Sequence, residues 1–231
     1  MDFESFGKIP RLNRDITVTE KLDGTNAAVL IEPWHGEDCE DHELVKVTVA
    51  NVSQWWRIQA QSRKRLIAPN TEERKGVDNH GFAGWVAEHA VDLIRMLGPG
   101  RHFGEWWGQG IGKRYGDTPK QFTLFNPEFH FLEPEPTVSL TFDELGVVPV
   151  LYQGPFSQFA INLAVHRLRQ FGSVAAPGYS AEGVIVYHTA ARSLFKVTCD
   201  NDDRPKEIVA KEIARVAAEP QPSIHWGGDN L

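Results

Sequence analysis

The sequence predicts an α+β fold with largely antiparallel sheet, and three observations carry that prediction. Short strand-like runs outnumber helical ones and do not alternate strictly with them, which argues against a doubly wound parallel sheet. The strand-like runs fall at 16–21, 26–32, 44–50, 101–107, 120–125, 182–187 and 193–198. Helical periodicity is confined to three stretches, each with its own start or stop signal.

The elements follow in order. In "ITVTEKLDGTNAAVLIE" (16–32), Ile16 and Val18 and then Ala27 to Ile31 read as two strands. Asp23-Gly24 between them is a strong hairpin signal, since glycine accepts a positive φ without cost. "GFAGWVAEHAVDLIRML" (81–97) has Trp85, His89, Ile94 and Leu97 among spacings of three and four and ends at "GPG". "SQFAINLAVHRLRQFG" (157–172) offers Ser157 as N-cap and Gly172 as terminator. "RPKEIVAKEIARVAAE" (204–219) sets Pro205 in a first helical turn. "LEPEPTVSL" (132–140) reads as a surface loop, so 1–231 is expected to be a single domain.

Composition bounds the function. The chain has 231 residues, 41% hydrophobic and 24% charged, enough for a sizeable core. No run of about 18 apolar residues and no basic-then-apolar leader occurs, so neither a membrane span nor a secretory signal is expected. Two distant cysteines, Cys39 and Cys199, make no disulfide framework and suggest a reducing, cytoplasmic setting. The net charge of −7 argues against a surface that binds nucleic acid throughout, but leaves room for a local basic groove. "RIQAQSRKRL" is the one such stretch, with Arg57, Arg63, Lys64 and Arg65 and no acid. The acidic run "WHGEDCEDHE" holds His35, Cys39 and His42, residues capable of binding zinc. With no second half-site it reads as a solvated loop.

Several residues in or beside the strand-like runs stand out. Lys21 precedes the Asp23-Gly24 turn. Glu105 lies in the aromatic run "HFGEWWG". Phe125 ends "KQFTLFN", Glu182 opens "EGVIVYH", and Lys196 interrupts "SLFKVTCD". Each alone has a plain structural reading, as an edge acid, a core ring or an edge-strand gatekeeper. In this order, "TEKLDGTN", "QSRKRL", "DNHGFAGWV", "HFGEWWG", "EGVIVYH" and "FKV" together resemble the ATP-dependent RNA ligases, a family of covalent nucleotidyltransferases. The resemblance runs from about residue 8 to about 206.

The resemblance implies a nucleotidyltransferase (ATP-grasp-like ligase core) fold, with largely antiparallel sheets flanked by helices. It also implies a chemistry. Lys21 would attack the α-phosphate of ATP to give a lysyl-AMP. The AMP would pass to an RNA 5′-phosphate, and a 3′-hydroxyl would then seal the strand. Glu20 would border the adenine through its main chain. Asn26 would sit near the reacting phosphates, Arg63 on the ribose or phosphate side, and Glu105 on the ribose hydroxyls. Phe125 would stack on adenine, Glu182 would lie near metal and phosphates, and Lys196 would neutralise the α-phosphate. Mg²⁺ or Mn²⁺ would be held by phosphate, water and a carboxylate rather than by a protein cage.

Physical chemistry adds a demand. An unperturbed lysine titrates near about 10.4, so only about one in a thousand is neutral at neutral pH. Partial burial against "AAVLI" and a nearby cation such as Lys196 are expected to favour the free amine. There are two departures from the family pattern. Thr198 stands where a second lysine is usual, with Lys206 a weak substitute, and Asn126 follows Phe125 where Asp is common. About 25 residues follow the last block, too few for an OB domain, so a catalytic core alone is expected. Grip on the RNA ends would then come from the Arg57–Arg65 cluster or from an accessory repair protein. Two alternatives stay open: sealing of DNA or transfer to another acceptor, and a non-catalytic ATP- or RNA-binding descendant.

Overall fold

The computed structural model describes residues 3–36, 43–49, 52–112, 114–132 and 144–200. The chain divides into a unit of residues 1–199 and one of 200–231, and the account below concerns the first. The predicted helix at 204–219 and the zinc-capable Cys39 and His42 lie outside the described residues, as does most of the 132–140 loop.

The fold is α+β, with two sheets that are antiparallel except for one parallel pair. The strands are β1 (Asp15–Lys21), β2 (Thr25–Pro33), β3 (Leu44–Val49), β4 (Val52–Ser62), β5 (Leu66–Ile67) and β6 (Gly100–Trp107). After these come β7 (Gln121–Leu124), β8 (Leu145–Val147), β9 (Val150–Pro155), β10 (Gly183–His188) and β11 (Ser193–Thr198). The helices are α1 (Phe82–Glu88), α2 (Ala90–Leu97) and α3 (Gln158–Phe171). The four-stranded sheet has the order β11-β10-β1-β9. The seven-stranded sheet has the order β3-β4-β2-β6-β7-β8, with β5 on β4. Among the described residues only β7 and β8 run parallel.

The seven predicted strands are present, with ends shifted by a residue or so. Four more were not anticipated: β4, β5, β8 and β9. In β4, Ile58 and Ala60 point into the core while Trp55, Arg57, Gln59 and Gln61 face outward. That alternation is in the sequence, but two adjacent tryptophans and the basic run obscure it. The helix predicted over 81–97 is broken at His89, whose φ of −100° and ψ of 18° end α1 and begin α2. Ser157 caps α3 as expected, its Oγ accepting from the Ala160 N–H at 3.2 Å, and Gly172 follows the last turn.

The Asp23-Gly24 hairpin is not formed. β1 pairs with β10 and β9, whereas β2 pairs with β4 and β6, so the turn carries the chain from one sheet to the other. Gly24 is required for a different reason from a positive φ. A Cβ there would lie 2.4 Å from the Trp106 carbonyl oxygen and 2.7 Å from the Trp107 Cβ. The glycine lets the turn lie directly on β6. A second crossing, Val148–Pro149 between β8 and β9, passes beside it, and the Glu20 N–H donates to the Pro149 carbonyl at 2.9 Å. A small core of Leu22, Trp107, Tyr115, Val148 and Ala176 fills this junction.

Each sheet buries one face. Ile16, Val18, Val184 and Val186 pack under α3 against Ile161, Val165 and Leu168. The larger sheet packs Ala27, Val29, Ile58 and Phe122 against α1 and α2. Rings of Phe82, Trp85, Trp106 and Phe122 stack there with centroids 5.1–6.0 Å apart.

Candidate active site

Strand alternation sends neighbouring residues to opposite faces, and this decides what Lys21 meets. Residues directly opposite in an antiparallel pair share a face. Lys21 is opposite Gly183, and Gly183 is opposite Thr198. Ile185 and Lys196 form the next row. Lys21, Thr198 and Lys196 therefore share the face away from α3. Gly183 keeps that row low. A Cβ there would lie 2.2 Å from the Val197 carbonyl oxygen.

The side chain of Lys21 is about a quarter exposed, and its Nζ lies 2.5 Å from Glu182 Oε2. The expected packing of Lys21 against "AAVLI" is not found. Ala27, Val29 and Ile31 turn into the core of the other sheet, and the neighbour of the amine is a carboxylate. Glu105 reaches the same place from β6. Burial pushes its carboxyl up from the ordinary 4.5 to about 7. Lys21 opposes that shift, Glu182 adds to it, and the Gly24 N–H and Arg63 oppose it. Asn26 is Glu105's direct partner across β2 and β6. Two acids, an amine and a guanidinium thus act on one another where the sheets meet.

The other expected residues are more dispersed. Phe125 follows β7, with its N–H on the Phe103 carbonyl at 3.0 Å, so it stands one row along the sheet from Glu105; its ring is 40% exposed. Lys196 is exposed on β11. Glu20 faces the opposite side from Lys21 and is 1% exposed. Its Oε2 accepts from the Val174 and Ala175 N–H groups at 2.9 and 3.0 Å, so only its main chain borders the Lys21 face.

Two features escaped sequence reasoning. Arg114 sits 3.7 Å from Asp23 through Nε and donates to the Ser180 hydroxyl and the Ala181 carbonyl at 3.3 and 3.1 Å. It ties the Lys-x-Asp-Gly turn to the residues preceding Glu182. Tyr115 accepts from the Asp23 N–H at 3.2 Å, and burial pushes its phenol up. The only sequence signal for either is their position in a glycine-rich turn. Glu20 on 174–175 and Arg114, paired with Asp23, on 180–181 together hold the segment that leads to Glu182. Among the described residues no three His, Cys, Asp or Glu side chains form a metal cluster.

The RNA ligase family model matches residues 14–198, and the chain belongs to that family. No curated protein matches. Among solved structures, an apo-form RNA ligase of Naegleria gruberi is similar at 16% identity and a TM-score of 0.44. The match covers 86% of this chain and 52% of that one, so the chain spans about half of that protein's length. Among the described residues no helix is long and apolar enough to cross a membrane.

Proposed function

We propose that this chain has a nucleotidyltransferase fold and is an ATP-dependent RNA ligase, with Lys21 as the nucleophile. The observation that carries the reading is the approach of Lys21 to Glu182 at 2.5 Å beside Glu105, in a chain of the RNA ligase family. In this reading the Lys21 nitrogen bonds to the α-phosphorus of ATP, the bond to pyrophosphate breaks and the amine loses its proton. The AMP then passes to an RNA 5′-phosphate, and a 3′-hydroxyl displaces it. A lysine suits the step because a compact amine can be deprotonated, whereas a guanidinium cannot.

The remaining roles are those that the resemblance to the family implies. Arg63 and Lys196 supply positive charge for the phosphates, a preorganised electrostatic task. Glu105 accepts from the ribose hydroxyls, the half-exposed Phe125 ring stacks on adenine, and Asn26 lies beside the reacting phosphates. Glu182 offers a hard oxygen donor suited to Mg²⁺ or Mn²⁺. When bound, such an ion neutralises phosphate charge. The acidic junction fits a divalent ion shared with phosphate and water. RNA ends are the proposed partners, alone or with an accessory repair protein, in the cytoplasm.

The test is incubation with α-phosphate-labelled ATP and Mg²⁺ or Mn²⁺, a denaturing gel, and peptide mapping. Label on Lys21 that pyrophosphate releases is expected, and Lys21→Ala is expected to abolish it in a folded protein. Label surviving in that variant would mean another nucleophile. ATP binding without label would favour a non-catalytic descendant, the reading that Thr198 supports. Sealing of DNA ends in preference to RNA ends would move the acceptor.

A further inference from the structure

The seven-stranded sheet has a face turned away from α1 and α2, and its composition is unusual for a chain of net charge −7. From the Asn26–Glu105 pair, the register sets Phe103 and Gln61 beside Ala28, then Arg101 and Gln59 beside Leu30. Glu32 and Arg57 come next, as an ion pair. At the far end stand two tryptophans, joined where the Trp34 N–H donates to the Trp55 carbonyl at 2.9 Å.

Each tryptophan carries a cation. Arg57 Cζ lies 4.9 Å from the Trp34 ring centre, and Lys46 Nζ lies 5.8 Å from that of Trp55. Trp55 is 49% exposed and Phe103 44%. Rings this large are highly buried on average. These are instead laid on an outer face, interleaved with amides and cations. Aromatic platforms alternating with positive charge are what a single nucleic-acid strand requires, since each base has a π-face and each linkage a negative charge. The eight steps from Asn26 to Trp34 span about 26 Å of strand, the reach of a few nucleotides.

We propose that this open sheet face holds a single strand of RNA leading away from Lys21, with a base stacked on Trp55 and a phosphate against Lys46. The inference rests on the RNA-sealing reading and extends it to the path of the substrate. The acids on the face are already engaged. Glu32 pairs with Arg57, and Glu43 accepts from the Gln59 amide at 3.0 and 3.1 Å. Arg57 offsets the charge of Glu32, whereas the neutral Gln59 amide fixes Glu43 in place without cancelling its charge.

The test uses the full chain and a short 5′-phosphorylated single-stranded RNA, with affinity read by fluorescence anisotropy at several salt concentrations. Trp55→Ala is expected to weaken binding about tenfold, Trp55→Phe to restore most of it, and Lys46→Gln to reduce the salt slope by about 0.7. Lysyl-AMP formation from ATP alone is expected to be unchanged in all three. Normal lysyl-AMP formation with unaltered RNA affinity in Trp55→Ala and Lys46→Gln would overturn the track and leave the face to a protein partner. It would not touch the nucleophile. Absence of lysyl-AMP in the unmodified chain, with RNA binding still lost in Trp55→Ala, would sink the ligase reading and keep the surface. Should Trp55→Ala fold poorly, the salt slope of Lys46→Gln decides alone, and an unchanged slope overturns the proposal.

Discussion

The two sheets meet at one junction but are built differently. The four-stranded sheet has an aliphatic core under a single helix, and its working face is set by two polar clamps: Glu20 on 174–175 and Arg114 on 180–181. The seven-stranded sheet has a core with a cluster of four rings and an outer face with half-exposed rings, which ends at the partly buried acid Glu105. The smaller sheet fixes two groups, Lys21 and Glu182, in one relation. The larger sheet offers a broad surface. Precision comes from directed hydrogen bonds, which tolerate little displacement, and breadth comes from side chains standing on a regular ladder.

The largest expected effect is on the aromatic core. Trp106→Ala empties the space between Phe82 and Trp85 and is expected to cost about 3–5 kcal/mol, measured by denaturant unfolding. A loss below 1 kcal/mol would mean that the rings repack and that the contrast between the cores is overstated.

Next is the titration of Glu105. Its carboxyl is raised in the fold, so the stability it contributes is fully present below about pH 4.5 and is lost as pH rises through about 7. At most about 3 kcal/mol is at stake, less whatever solvent screens. Glu105→Gln is expected to flatten the decline in unfolding free energy between pH 5 and 8 and to leave the variant the more stable at pH 8. Parallel pH profiles for the two proteins would show that the acid is not buried as described.

Between these effects and the smallest lies Thr198→Lys, which restores a cation in the row of Lys21. Lysyl-AMP formation is expected to quicken by about fivefold, on the order of 1 kcal/mol. A slower rate would mean that the row is already balanced. The smallest effect concerns the helix over the small sheet. Ser157→Ala removes the α3 cap and is expected to cost about 1 kcal/mol in thermal or denaturant unfolding, with lysyl-AMP formation unaffected.

Much was legible before the fold. Ile16 and Val18 alternate with polar neighbours, Ser157 and Gly172 bracket a helix, and the ordered blocks around Lys21, Glu105 and Glu182 carry the family. These signals are local, because side-chain period and capping are properties of a few consecutive residues. Lys21, Glu182, Glu105 and Arg63 were expected together and are found within mutual electrostatic reach. Arg114 was not legible, because its partners lie 66 and 67 residues away and nothing near it announces them.

By itself the sequence determined seven of the strands, the cap and stop of α3, and the residues proposed to carry the chemistry. Tertiary structure decided which strand pairs with which. Asp23-Gly24 joins two strands that sequence logic would fold onto each other, yet β1 and β2 enter different sheets. A strand's period says which side chains share a face but names no partner. The partner is chosen by the whole set of apolar faces that must be buried at once. Gly24 serves that global choice, as the one residue small enough to lie against the Trp106 carbonyl.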